Sequence, residues 1–273
     1  MSTGGRVVAG REVVVHDDEQ EVAADGAARL VAALAQAQAA RGVASVVLTG
    51  GGIGIAMLRA VATTAGRDQV DWSRVDVFWG DERFVPAGDP ERNDAQAREA
   101  LLDSLPLDPA RVHPMASSSP GHAAQDAGDV ELHGTADPDQ GAEAYAQVLT
   151  AAAARLGEAP GVPGVPAFDV LLAGCGPEGH TLSVFPHSPA VHATAAGVVA
   201  VRDCPKPPPT RITLTLAASR AARDVWLLAT GSAKAEALGR AARGASEVEV
   251  PLAGLAGSEH TLWLLDREAA SQL

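Results

Sequence analysis

Lysine is almost missing from this chain. Of 21 basic residues only Lys206 and Lys234 are lysines; the rest are arginines. Acidic residues number 34, so the formal net charge is −13. A surface of that sign repels a phosphate backbone, which excludes sequence-blind binding of nucleic acid. It leaves room for a small anion held by locally gathered cations. Cysteine is equally scarce: Cys175 and Cys204 are the only two and make no disulfide framework. That scarcity points to a reducing, cytoplasmic setting. No run of about 18 apolar residues is free of charge, so no membrane-spanning helix and no membrane partner is expected. The opening residues, MSTGGRVVAGREVVVH, lack a cationic start followed by an apolar core and a cleavage site. No signal peptide is expected there.

What the chain does have is apolar residues in two alternating patterns. At 273 residues and 47% hydrophobic it can bury a large core, and a disordered chain is excluded. Short apolar runs predict strands at 12–16, 43–50, 75–80, 168–174, 196–201, 224–229 and 260–265. Longer alanine-rich amphipathic stretches predict helices at 19–41, 53–66, 93–104, 139–157 and 232–243. This alternation predicts an α/β fold: one Rossmann-like domain over residues 1–273, with a mostly parallel sheet and helices on both faces. Residues 116–139 are rich in Ser, Gly, Ala and Asp without periodicity and read as a long surface loop. In open parallel sheets ligands sit beyond the carboxyl ends of the strands, so chemistry is sought just after each strand.

Four strand ends carry it. In LTGGGIGIAML (48–58) a strand runs into Gly50, Gly51 and Gly52 before a helix. Glycine lets backbone N–H groups approach an anion, and the helix N-terminus adds partial positive charge. No Gly-Lys-Ser/Thr follows, so this is not a P-loop. In VDVFWGDERFVP (75–86) the strand delivers Asp81, Glu82 and Arg83, charges that need partners if half-buried. In DVLLAGCGPEGHTLSVFP (169–186) glycines break a strand, and Glu178 and His180 emerge together. A histidine takes a proton from water at neutral pH, and a nearby acid orients its ring. A zinc site of His180, His187 and His192 fits no common ligand spacing. A Cys175 nucleophile with His180 as base is a further alternative. In VRDCPKPPPTRITLTL (201–216) prolines stiffen a loop bearing Lys206 and Arg211, a point charge and a planar fork suited to phosphate.

Together, FWGDERFVP, GCGPEGHTLSVFP and PKPPPTRITL resemble the 6-phosphogluconolactonase family, within the larger group that includes glucosamine-6-phosphate deaminases. The resemblance spans about residues 11–265. Three features depart from the family pattern. Gly52 and Ile53 replace the hydroxyl residues usual in the glycine loop, Glu178 stands for the usual aspartate, and His187 for a frequent glycine. The deaminase branch differs more, with a tyrosine usual at the position of Arg83 and an Asn-Glu-Pro run after the Gly-His motif.

The resemblance implies hydrolysis of 6-phospho-D-glucono-1,5-lactone, a sugar-phosphate substrate, with no metal and no organic cofactor. It implies His180 as general base, Glu178 as its orienting partner or a contact to sugar hydroxyls, Arg83 at the developing oxyanion and Asp81 fixing Arg83 or a hydroxyl. Gly50, Gly51, Gly52, Lys206 and Arg211 would hold the phosphate. A deaminase of the same fold and a sugar-phosphate sensor remain as alternatives. The sensor lacks a basic helix-turn-helix stretch.

Overall fold

The computed structural model describes residues 5–118 and 134–273. Its strands are β1 (Arg6–Val8), β2 (Arg11–His16), β3 (Ala44–Leu48), β4 (Val75–Trp79), β5 (Asp81–Arg83), β6 (Val112–His113), β7 (Val170–Ala173), β8 (Val198–Val201), β9 (Arg211–Leu214), β10 (Asp224–Ala229) and β11 (His260–Asp266). Its α-helices are α1 (Glu19–Arg41), α2 (Gly52–Val61), α3 (Asn93–Ala100), α4 (Pro138–Leu156), α5 (Leu216–Ser219) and α6 (Ala235–Ala242).

Eight strands form one sheet in the order β1-β2-β11-β10-β7-β3-β4-β6. Every pair in it is parallel except β1 with β2. The period-two rule sorts its side chains into two layers. Val46, Leu48, Val77, Trp79, Val170 and Leu172 pack with α1, α2 and α3. Val47, Phe78, Leu171, Ala173, Leu227 and Trp263 pack with α4 and α6 on the other face. Strands covered on both faces are what the continuous apolar runs predict.

The helix ends follow from local chemistry. The Asp18 side chain accepts from the Glu21 N–H at 2.9 Å and starts α1. Gly42, at φ 78°, ends it. Three expected helices are shorter than read. The stretch at 53–66 stops at Val61, the one at 93–104 breaks after Ala100 into a 3₁₀ turn at Leu102–Ser104, and the one at 232–243 begins as a 3₁₀ turn at Ser232–Lys234.

Strand order reverses between β3 and β7. From β3 the chain builds outward through β4 to β6; from β7 it builds the other way through β10 to β11. Loops leaving β3 and β7 therefore diverge and open a crevice at their carboxyl ends.

The predicted strand at 196–201 is not part of the parallel sheet. It becomes β8 and pairs antiparallel with β9, which pairs antiparallel with β5. The link from β8 to β9 is too short for a helical crossover, so the chain can only return as a hairpin. Gly80 joins the two sheets: its N–H donates to the Leu48 carbonyl at 3.0 Å, and its carbonyl accepts from the Leu214 N–H at 2.8 Å. A Cβ there would lie 2.7 Å from Leu182 Cδ2. Of the loop expected at 116–139, residues 119–133 lie outside the described residues, and α4 already begins at Pro138. Ser117 and Thr135 meet at its base, the Thr135 N–H donating to the Ser117 carbonyl at 3.0 Å.

One charge cluster ties the far end of the sheet to α4. Asp76, on β4, is fully buried. It accepts two hydrogen bonds from Arg155 (2.7 and 2.8 Å), one from Arg111 (2.6 Å), and meets His113 Nε2 at 3.0 Å. Burial pushes this carboxyl up, but His113, Arg155 and Arg111 outweigh it and hold it at about 2. The cluster therefore stabilises the fold fully above pH 4 and loses that contribution as pH falls toward 2. Asp76→Asn should cost about 3 kcal/mol at pH 7, since it removes the buried charge on which Arg155, Arg111 and His113 converge. Urea unfolding at pH 7 and pH 3 checks both points: the gap from wild type should narrow in acid.

Candidate active site

The crevice between β3 and β7 is a cavity of about 270 Å³. Each wall is placed by a strand end. After β3 come Thr49, Gly50, Gly51 and Gly52; after β4, Asp81 and Arg83; after β7, Gly174, Cys175 and His180; on β9, Arg211; after β10, Thr230 and Lys234. Asn93 and Glu19 line it from the first turns of α3 and α1.

The DER motif divides by strand alternation. Asp81 and Arg83 share the face toward the cavity, and Glu82 points the other way. Glu82 is fully buried and caps α3, its carboxylate accepting from the N–H groups of Asn93 (2.7 Å) and Asp94 (3.0 Å). Burial raises its carboxyl to about 7, against the pull of Arg92 at 3.6 Å. Asp81 is pinned on the cavity side. Its Oδ2 accepts from Ser183 Oγ at 2.5 Å, and its backbone carbonyl accepts from Asn93 Nδ2 at 2.8 Å. Arg83 is anchored at one end by the Glu91 carbonyl, while its buried Nε has no hydrogen-bond partner among the described residues.

Glu178 and His180 form a pair, with Glu178 Oε1 2.8 Å from His180 Nδ1. The imidazole stacks on Phe185 with ring centroids 4.5 Å apart. Gly176 makes the close approach possible: a Cβ there would lie 2.1 Å from His180 Nδ1. Burial raises the Glu178 carboxyl, but the His180 hydrogen bond and the Lys206 charge win and hold it at about 2. Glu178 is thus ionised at neutral pH and acts only as an acceptor. It accepts a hydrogen bond from Nδ1–H, which leaves the lone pair on Nε2.

The glycine loop follows the anion-binding pattern. Gly51 has φ 82°, open to glycine, and precedes the first turn of α2. Gly50 is required by close contact, since a Cβ there would lie 2.0 Å from Asn93 Oδ1. Arg211 is 7% exposed and its guanidinium is largely committed. It donates to the carbonyls of Pro208 (3.0 Å) and Pro207 (3.1 Å), and Nη1 lies 3.9 Å from Asp81 Oδ2.

The structure thus brings Gly50, Gly51, Gly52, Asp81, Arg83, His180 and Arg211 onto one cavity. Glu178 stands directly behind His180. Lys206 does not line this cavity with the glycine loop; its Nζ lies 3.3 Å from Glu178 Oε2. Lys234, Asn93 and Ser183 were not singled out in the sequence. Lys234 had one legible signal, as the chain's only other lysine. Asn93 and Ser183 had none, because what matters is their contact with Asp81. The alternatives fare differently. Among the described residues no group of His, Cys, Asp and Glu has the arrangement of a metal site. The Cys175 thiol, although on the cavity, is pushed up to about 12 by burial, so it is not a thiolate at neutral pH.

An α/β sheet with an oriented imidazole, two arginines and a glycine loop at its switch point has the layout of an enzyme for a small anionic substrate. Comparison with known proteins narrows this. The profile described as "Glucosamine-6-phosphate isomerases/6-phosphogluconolactonase" matches residues 17–263. A 6-phosphogluconolactonase of Streptomyces coelicolor is 51% identical over 262 residues, covering 96% of this chain and 94% of that protein. One from Mycobacterium tuberculosis is 51% identical over 261 residues, covering 96% and 98%. The solved structure of 6-phosphogluconolactonase from Trypanosoma brucei superposes with a TM-score of 0.77 at 29% identity, covering 98% of this chain and all of that one. The chain belongs to the glucosamine-6-phosphate isomerase/6-phosphogluconolactonase family.

The state of Cys175 is open to direct test. In the native protein at pH 8 iodoacetamide should leave Cys175 unmodified, and urea should expose it. Peptide mapping by mass spectrometry reads the difference; rapid native labelling of Cys175 would revive the thiol reading.

Proposed function

We propose that this chain is a 6-phosphogluconolactonase, hydrolysing 6-phospho-D-glucono-1,5-lactone to 6-phosphogluconate in the oxidative pentose phosphate pathway. The observation that carries the reading is the Glu178–His180 pair at 2.8 Å, with His180 lining a cavity shared with Arg83 and the glycine loop. The 51% identity to lactonases over nearly the whole chain supports it.

The chemistry runs as follows. His180 Nε2 takes a proton from water as the oxygen adds to the lactone carbonyl carbon. The carbonyl electrons move to oxygen, and Arg83 offsets that charge. The carbonyl re-forms as the ring C–O bond breaks, and the proton held on Nε2 passes to the leaving ring oxygen. The product is an open-chain acid with a free hydroxyl. Glu178 stays ionised throughout and stabilises the transient imidazolium. Asp81, fixed by Ser183, accepts from a substrate hydroxyl or holds Arg211. The phosphate is held by N–H groups at Gly50, Gly51 and Gly52, with Arg211 and Lys234 supplying charge. An ester carbonyl is already electrophilic, so the reaction requires no metal or organic cofactor. One unit spanning residues 1–273 and working in the cytoplasm fits the two free cysteines.

The test generates the lactone in situ and follows its loss above the spontaneous rate. Wild type should accelerate it. His180→Ala should lower kcat by about 10² or more with the fold intact. Glu178→Gln, which removes the charge but keeps the shape, should lower kcat with little change in KM. No acceleration by wild type, together with ammonia release from glucosamine 6-phosphate, would move the chain to the deaminase branch of the family.

A further inference from the structure

Lys206 was expected at the phosphate, yet the fold takes care to put it elsewhere. Its Nζ lies 3.3 Å from Glu178 Oε2 and 3.5 Å from His180 Nδ1. The loop that carries it is tied down by two buried residues, Cys204 and Arg211. The Cys204 N–H donates to the Pro209 carbonyl at 3.0 Å, and the Cys204 thiol to the Lys206 carbonyl at 3.0 Å. Arg211 donates to the carbonyls of Lys206, Pro207 and Pro208. A backbone held this way lowers the entropy cost of bringing the ammonium to Glu178 and His180.

We propose that Lys206 is a positioning residue for the Glu178–His180 pair rather than a ligand for the substrate's phosphate. The inference rests on the lactonase reading for the role of His180 as base. Glu178 has two oxygens and two neighbours. Oε1 faces Nδ1, and Oε2 faces the ammonium. An ammonium has three donors and no acceptor, so it cannot take the Nδ1 proton; it can only hold the carboxylate in place. It also shares the negative charge. A carboxylate left to the imidazole alone would favour the imidazolium, which has no lone pair on Nε2. A cation 3.5 Å from Nδ1 opposes that form. Lys206 thereby keeps Nε2 ready to accept a proton while Glu178 keeps the ring in place. The other charges facing the cavity are Asp81 and Arg83 from β5, Arg211 from β9, Lys234 from beyond β10 and Glu19 from α1. Phe185 covers one face of the ring.

The experiment compares wild type, Lys206→Met and Lys206→Arg. The Lys206 side chain is 41% exposed, so both variants leave the core intact. The His180 ring nitrogens are followed by ¹⁵N NMR against pH, and kcat and KM are measured for the phosphorylated lactone. In Lys206→Met the His180 midpoint should rise by about half a pH unit or more. Below that midpoint kcat/KM should then fall about threefold or more. Affinity for 6-phosphogluconate by calorimetry should stay within about twofold, and Lys206→Arg should restore the midpoint. An unmoved His180 midpoint with affinity for 6-phosphogluconate down about tenfold would overturn the proposal and return Lys206 to the phosphate. The NMR arm needs no turnover. Failure of wild type to hydrolyse the lactone would therefore sink the functional reading while the His180 titration still decides the place of Lys206.

Discussion

The large sheet is covered by side chains on both faces, and this constrains everything else in the molecule. A strand buried on both sides has no room for unpaired polar groups along its length. Chemistry can then emerge only past the strand ends, where loops meet solvent. The reversal of strand order between β3 and β7 spreads two of those loops apart, and the cavity fills the gap. The exception within the sheet illustrates the rule. Asp76 is a charge inside β4, and it is tolerated only because two arginines and a histidine converge on it.

Around the cavity, charge is held rather than merely present. Asp81 is fixed by Ser183, Arg211 by the carbonyls of its own loop, Glu178 by Lys206, and His180 by Glu178. Asp81, Arg211 and His180 each spend one side of their hydrogen-bonding capacity on the protein and line the cavity, while Glu178 stands behind His180 with both oxygens committed. Such preorganisation lets a site meet developing charge without rearranging at the moment of reaction. Glycine serves the same end twice, at Gly50 and Gly176, where a methyl group would collide with Asn93 or His180. The small antiparallel sheet explains why β5 and β9 can do this together. Asp81 pairs with Thr213 and Arg83 with Arg211, so two motifs distant in sequence become neighbours.

Much of this was legible before any fold was known. Alternating apolar runs predict the parallel sheet because each βαβ unit is a local pattern within a few tens of residues. The strand-end location of the GGG, DER and EGH motifs follows from the same reading. The small sheet was not legible, because β5 and β9 are held by pairing across a long sequence gap that no local pattern carries. Asn93 was missed for a similar reason: it reads as an ordinary first residue of a helix until Asp81 and Gly50 are seen against it. Lys206 is marked in the sequence by its prolines, but no local pattern shows that its Nζ lies 3.3 Å from Glu178.

The sequence by itself determined the class of fold, the order of the motifs and the kinds of chemical group available, since these depend on residue type and short-range periodicity. It also fixed family membership, through motifs whose spacing is local. Only the tertiary structure decided which groups meet. Ser183 reaches Asp81 across 102 positions, and Lys206 reaches Glu178 across 28. Which face of β5 points inward, which lysine lies on the cavity and which stands behind the histidine depend on strand pairing and loop packing. Those are set by the whole buried core at once, and no single stretch of sequence carries them.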